Sequence, residues 1–258
     1  DSVKQKRLET EVMEEVKTST RALFVSAVVL LIILVTGPLG YKFSMVPLQP
    51  SLVSLLIAVA GGALVFLIGL VYLVIAMRSD LGRNRNLVIV SMILGLIPVG
   101  IIGPQMVAAG DVPPIHDITT DTANPPAFVA IVPLRENAPN GYEYGVTEAW
   151  PAEKLGATTM EAYPDLKPIE SDLSVADAVD RTEDALQTMG LEIVAVDKEA
   201  GLVEATAATF WFGFKDDMVV RIVANGEGSK IDLRSMSRVG QSDVGANAAR
   251  ISDFVERF

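Results

Sequence analysis

The segment RSMSRVGQSDVGANAARI, Arg234 to Ile251, gathers the chain's densest set of groups able to hold an anion. On an alternating strand Asp232, Arg234, Met236 and Arg238 share one face, and Ile231, Leu233, Ser235 and Ser237 share the other. Two guanidiniums on one face make a fork suited to a carboxylate or phosphate, and Arg221 on the preceding strand is expected nearby. Gly240 permits a sharp corner, after which Ser242 or Asp243 caps a helix whose first amides also attract anions. Asp243 competes for the same cations, so the segment also reads as a corner pinned by its own salt bridges, with Asn247 and Arg250 adding hydrogen bonds one turn later. An anion site, a docking surface and a self-contained corner all fit these residues.

Other groups are more isolated. His116 and Asp117 in PPIHDITTDT carry the elements of a general base or a metal site, but His116 is the chain's single histidine and there are no cysteines to complete a ligand set. Asp117 and Asp121 offer oxygen only, and Pro113, Pro114, Pro125 and Pro126 favour an extended clamp over a calcium-binding loop. The run TFWFGF, read as strand, places Phe210, Phe212 and Phe214 on one face and Trp211 on the other, as core or as an aromatic edge for a membrane surface, a ligand or a partner. A Ser-His-Asp arrangement, a G-x-S-x-G elbow and a phosphate-cradling glycine loop are all missing from the sequence. The expectation is a protein that is not an enzyme, with no cofactor and no bound metal.

The elements that position these residues begin with a membrane anchor. Half the residues are hydrophobic and mean hydropathy is +0.39, with the excess before residue 110. Three uncharged apolar runs, about 22–41, 51–77 and 87–109, have the length of transmembrane helices. None contains an Asp, Glu, Lys, Arg or His, which argues against transport. Gly61, Gly62, Gly69, Gly95, Gly100 and Gly103, with Pro98, favour close packing of these helices or a seam for another membrane protein.

Residues 1–21 read as a cytoplasmic segment with an amphipathic stripe at Leu8, Val12 and Val16. They carry Lys4, Lys6, Arg7, Lys17 and Arg21, and the loop between the second and third runs adds Arg78, Arg83 and Arg85, against Lys42 alone on the opposite side. That bias places the N-terminus inside and residues 111–258 in a bacterial periplasm or equivalent lumen. This outer part has 12 basic and 26 acidic residues, a composition that excludes nucleic acid and a bare anionic membrane as partners.

Within it, residues 111–173 read as irregular and proline-rich. Ser174 then opens a helix with Asp177 at its third position, apolar on the Val175, Ala178, Val179, Thr182, Ala185, Leu186 and Met189 face and stopped at Gly190. Four strands follow, LEIVAVD, LVEATAATFWFGF, DDMVVRIVA and SKIDLRSMSRV, with turns at KEAG and NGEG. A last helix from about Asp243 to Phe258 shows Val244, Ala248, Ile251, Val255 and Phe258 on one side. The fold class is a three-span α-helical anchor joined to an extracytoplasmic α+β domain, an antiparallel sheet with two helices on one face.

HDITTDTANPPAF, DDMVVRI and GSKIDLRSMSRVGQSDVGANAARI together resemble the domain-of-unknown-function family 1499 (DUF1499), over about Pro113 to Phe258. The resemblance maps the family's recurrent residues to His116, Asp117, Asp121, Pro125, Pro126, Arg221, Arg234, Ser237, Arg238, Gly240, Asp243, Gly245, Asn247 and Arg250. Its chloroplast members imply, by analogy, a link to lumenal faces and photosynthetic complexes. The leading expectation is an accessory or assembly protein of a larger membrane complex, embedded in the inner-membrane lipid bilayer beside a membrane-protein partner. The alternatives are a module binding an anionic ligand or lipid headgroup at Arg221, Arg234 and Arg238, and an envelope hydrolase acting through His116 and Asp117.

Overall fold

Three long apolar helices open the chain. The computed structural model describes the backbone of residues 2–78 and 82–258, with side chains described for 3–5, 18–75 and 85–258. The expected stripe at Leu8, Val12 and Val16 lies outside the described side chains. The helices are α1 (Ser2–Lys42), α2 (Leu48–Arg78) and α3 (Gly82–Asp111), and in each a stretch of 25 residues or more is apolar enough to cross a bilayer. Contact density divides the chain at Val107/Ala108, so the last turn of α3 belongs with the second unit.

Within the first unit the glycines act as contact points. A Cβ on Gly62 would stand 2.2 Å from the Gly95 carbonyl oxygen, one on Gly61 would meet Leu30, and one on Gly69 would meet Met92. Leu23, Ala27 and Val65 are buried among Leu30, Tyr72 and Leu94 from the three helices. Close backbone approach of this kind maximises dispersion contacts where lipid supplies no hydrophobic drive. Gly100 and Gly103 differ, since nothing lies within 4 Å of a Cβ at either position.

The second unit is an antiparallel sheet with helices. It has six strands where the sequence pattern shows four: β1 (Asp117–Thr119), β2 (Ile169–Ser171), β3 (Glu192–Asp197), β4 (Leu202–Ala208), β5 (Lys215–Asn225) and β6 (Gly228–Ser237). The order is β1-β6-β5-β4-β3, and β2 shares with β1 the outer edge of β6. Both extra strands are three residues long, too short for alternation to reveal. Between them Thr120 continues the edge, its N–H donating to the Leu233 carbonyl and its hydroxyl accepting from the Leu233 N–H, each at 2.9 Å.

Residues 111–173 are therefore not irregular throughout. They also hold a 3₁₀ turn (Val132–Arg135) and α4 (Ala152–Ala162), whose buried face is only Leu155, Gly156 and Thr159, too weak an apolar stripe to read as helix. The expected first helix is α5 (Val175–Thr188), with the Ser174 hydroxyl accepting from the Asp177 N–H and Gly190 left-handed beyond its end. The β5–β6 hairpin turns on Asn225-Gly226-Glu227-Gly228, where Asn225 pairs with Gly228 and Gly226, the first central residue, takes φ +61° as a glycine there allows.

The last helix, α6 (Ala246–Arg257), starts three residues later than expected and buries Asn247, Ala248, Ile251 and Phe254, leaving Val244 and Val255 exposed. Helices α5 and α6 cover one sheet face, where Val203, Ala205, Met218, Val220, Ile222, Ile231 and Leu233 form the main core with Leu186, Ile251 and Phe254. The opposite face holds a smaller cluster of Val219, Met236, Phe128 and Ile131. TFWFGF is not strand. It forms the β4–β5 loop, closed by Thr209, whose hydroxyl accepts from the Phe214 N–H and whose carbonyl accepts from Gly213 at φ +66°.

The glycine contacts give a direct check. Gly62→Val is expected to destabilise the full-length protein in detergent by about 1–3 kcal/mol, the usual cost of overpacking. Gly100→Val is expected to leave its melting temperature unchanged in the same thermal scan.

Candidate functional site

The second sheet face is where the charged residues meet. Register pairs Asp217 with Met236, Val219 with Arg234 and Arg221 with Asp232 across β5 and β6, and pairs Thr206 with Asp217 and Glu204 with Val219 across β4 and β5. This face carries Glu204, Thr206, Asp217, Arg221, Asp232 and Arg234 side by side, as the alternation of β6 requires. Its cover is the chain from Thr120 to Gly141, which includes the proline-bound clamp and the 3₁₀ turn.

Each arginine on this face has a carboxylate of the chain's own. Arg234 makes a bidentate pair with Asp117, Nε to Oδ1 and Nη2 to Oδ2, both at 2.8 Å, and donates to the carbonyls of Pro126 in the cover and of Tyr142 just past its end. Arg238 makes a second bidentate pair with Asp217, both contacts 2.8 Å, and reaches the Leu134 carbonyl. Arg221 donates to Asp232 at 2.7 Å and to Asp121 at 3.2 Å, with Lys230 completing a group of two cations and two anions.

Arg135, from the 3₁₀ turn, donates at 2.7 Å to the same Asp217 Oδ2 that accepts from Arg238 Nε, and the Arg135 and Asp217 side chains are both 0 % exposed. The Arg135 guanidinium also donates to the carbonyls of Met236, Ser237 and Gly141, tying the cover to β6. The three arginines expected to converge on one ligand are thus spread along the face in separate pairs. Arg221 sits opposite Asp232, six residues and about 20 Å of strand from Arg238.

A further carboxylate solves a different problem. Glu204 is buried, and its two oxygens accept from three successive amides, Val129, Ala130 and Ile131, at 2.6, 3.2 and 2.7 Å. Those amides lead into the 3₁₀ turn and have no partner within it, so the side chain satisfies them and is satisfied in return.

The helix-facing side of β6 is hydrogen-bonded instead. The Ser235 hydroxyl donates to Asn247 Oδ1 at 2.7 Å, and Asn247 Nδ2 donates to the His116 backbone carbonyl and to the Ser237 hydroxyl at 3.0 Å each. Arg250 bonds Ser235 and Asn247 and ends on Asp216 at 2.7 Å. Asp243 is no counterion to the arginines. It accepts from the amides of Gly245 and Asn247 and so closes the corner before α6. That corner includes Val244 at φ +55° and Gly245 at φ +82°, a strained conformation for a β-branched residue that the Asp243 and Ser242 side chains hold in place.

Charge states follow from these contacts. Burial opposes ionisation of Asp217, but hydrogen bonds from Arg238 and Thr206 and the charges of Arg238 and Arg135 outweigh it and hold the carboxyl below its ordinary range. Burial pushes Asp243 up, against the pull of the two amides it accepts from. Burial, with the Asp117 charge second, pushes the Tyr144 phenol up to about 12.

His116 is half-buried beside a cleft of about 110 Å³ that Glu143, Trp150 and Asn140 also line. Its Nδ1 lies 3.4 Å from the Gln241 carbonyl, while both oxygens of neighbouring Asp117 are taken by Arg234. The two therefore do not form a base and its orienting acid. Among the described residues no group of three or more His, Cys, Asp or Glu is arranged to hold a metal ion.

Residues 117–258 match the family described as protein of unknown function (DUF1499). The chain belongs to this family. The matched region is the whole sheet with α4 to α6, and the DUF1499 domain begins with Asp117, the partner of Arg234. The comparisons with curated proteins and with solved structures find no match.

Sequence reasoning missed Arg135, Glu204, Asp216 and Asp217 as members of this network. The DD pair at 216–217 was the available signal, since the NGEG turn sets the register that brings it opposite Met236 and Ser237. Arg135 had no such signal, because nothing local in VPLREN says that the turn folds back onto β6.

Asp217→Asn in the full-length protein is expected to lower stability by about 3–5 kcal/mol, because two buried guanidiniums lose their counter-charge. Asp253→Asn, which breaks the exposed Arg257–Asp253 pair on α6, is expected to cost no more than about 0.5 kcal/mol. Since Asp217 ionises more readily folded than unfolded, its contribution is complete above its ordinary value of 3.8 and is lost as pH falls below it. Melting temperature against pH between 2 and 6 is expected to be flatter for Asp217→Asn than for the wild type at the acidic end.

Proposed function

We propose that this protein is a non-enzymatic, membrane-anchored accessory or assembly factor of a larger membrane complex. The observation that carries the reading is the closure of the arginine network. Arg135, Arg221, Arg234, Arg238 and Arg250 each end on an aspartate of the same chain, so their charge is spent on fastening the cover and α6 to the sheet. A module built to capture an anion keeps its cations unneutralised until the ligand arrives. The DUF1499 domain instead offers a rigid, acidic body on a membrane anchor, suited to holding a neighbouring protein in place.

The charge asymmetry of the anchor supports an N-terminus in the cytoplasm and the acidic domain in the periplasm of a bacterial inner membrane. The open backbone at Gly100 and Gly103 supports a further transmembrane helix as the partner's contribution, since both positions admit close approach.

Purification from native membranes in mild detergent, with mass spectrometry of intact complexes, tests the reading. A membrane protein in fixed ratio with this chain is the expected result. A solitary chain carrying a stoichiometric small anion would overturn it in favour of a binding module.

A further inference from the structure

The β4–β5 loop, Thr209 to Phe214, presents aromatic surface at its tip. Phe210 is 75 % exposed and Trp211 49 %, their rings edge to face at 5.3 Å, above a stacked Phe212–Phe214 pair at 4.6 Å. The main core contains none of these four residues, and Lys215 follows at once. The hairpin tip thus exposes apolar ring surface on an otherwise acidic domain.

Sheet topology places that tip within the domain. Ala208 pairs with Lys215, Asp216 with Ser237, and Met236 with Asp117, while the Ser237 N–H donates to the His116 carbonyl. These residues form one row across the end of the sheet. β4 ends at this row and β5 starts from it, so the aromatic loop projects beyond it. β1 also starts there and runs the opposite way to β6, so residues 111–116 leave the sheet on the same side, about 10–15 Å away by strand spacing.

Five residues, 112–116, separate β1 from the end of α3, the last apolar helix, and they reach at most about 20 Å. The aromatic tip thus projects from the end of the domain at which the chain arrives from its membrane-spanning segment.

We infer that Phe210 and Trp211 insert into the headgroup layer of the bilayer that α3 crosses, making a second, non-covalent attachment of the DUF1499 domain. Trp and Phe partition to that layer because their rings are apolar while the indole N–H still reaches polar partners, and Lys215 extends its ammonium toward phosphate. The acidic surface gives no electrostatic attraction to anionic lipid, so the attachment relies on apolar insertion and works on zwitterionic membranes. This inference stands independently of the accessory role and requires only that the apolar helices span a bilayer.

The chain has two tryptophans, Trp150 and Trp211, which makes a test by fluorescence direct. Full-length wild type and Trp211→Phe, an exposed position where the fold tolerates the change, are reconstituted in phosphatidylcholine vesicles with brominated acyl chains. The quenchable signal of the wild type is expected to exceed that of the variant at least twofold, with the Trp211 component blue-shifted and shielded from aqueous acrylamide. Equal quenching in both proteins would overturn the inference, as would a Trp211 component open to acrylamide and untouched by bromine. Protection from both quenchers would overturn it too, because it would place the loop against protein instead of lipid.

Discussion

Asp217 sits at the middle of a sheet face with its side chain fully buried, and a carboxylate in that position stays charged only if cations come to it. Two come from opposite directions. Arg238 arrives from the end of β6, while Arg135 must be carried in by a turn more than eighty residues earlier in the chain. Bringing Arg135 there draws residues 120–141 down over the sheet, and the cover then buries the Phe128 and Ile131 side chains against Val219 and Met236. Glu204 and Arg234 fasten the same cover at two further points, one through three amides and the other through carbonyls. Removal of any single partner leaves a buried charge or a set of buried amides unmet, so the pieces depend on one another more than an apolar core would.

This arrangement answers what the arginine-rich segment is for. Its cations face inward to the chain's own aspartates, and its glycines and Asp243 shape the corner from which α6 turns back over Ser235 and Ser237. Outside this network, Gly100 and Gly103 of α3 have nothing within 4 Å of a Cβ, and the aromatic loop exposes Phe210 and Trp211. Under the proposed reading the first serves a membrane-protein partner and the second the lipid headgroup layer.

Much of the fold was legible because its signals are local. The three spans follow from uncharged length, α5 from Ser174 and the 3.6-residue apolar pattern, and the β5–β6 hairpin from Asn225-Gly226. The face assignment along β6 also held, since alternation alone separates Leu233 from Arg234. What escaped depends on contacts distant in sequence. β1 and β2 exist only because β6 offers an open edge, α4 has a weak apolar stripe, and TFWFGF, though rich in strand formers, bends at Gly213 into a loop. The site showed the same division. The arginines were visible as a group, but their partners at Asp117, Asp216, Asp217 and Asp232 are fixed by strand register and by the returning cover.

Hydrogen–deuterium exchange of the full-length protein at the amides of Val129, Ala130 and Ile131 tests the central claim most directly. They lie in a segment with no regular strand or α-helix, so any protection must come from the Glu204 carboxylate and the charge network that holds the cover shut. Exchange as slow as that of the β5 and β6 amides is the result this structure predicts. Exchange at the rate of an open loop would contradict it, because the arginines and carboxylates beneath would then be reachable by water and by ligands.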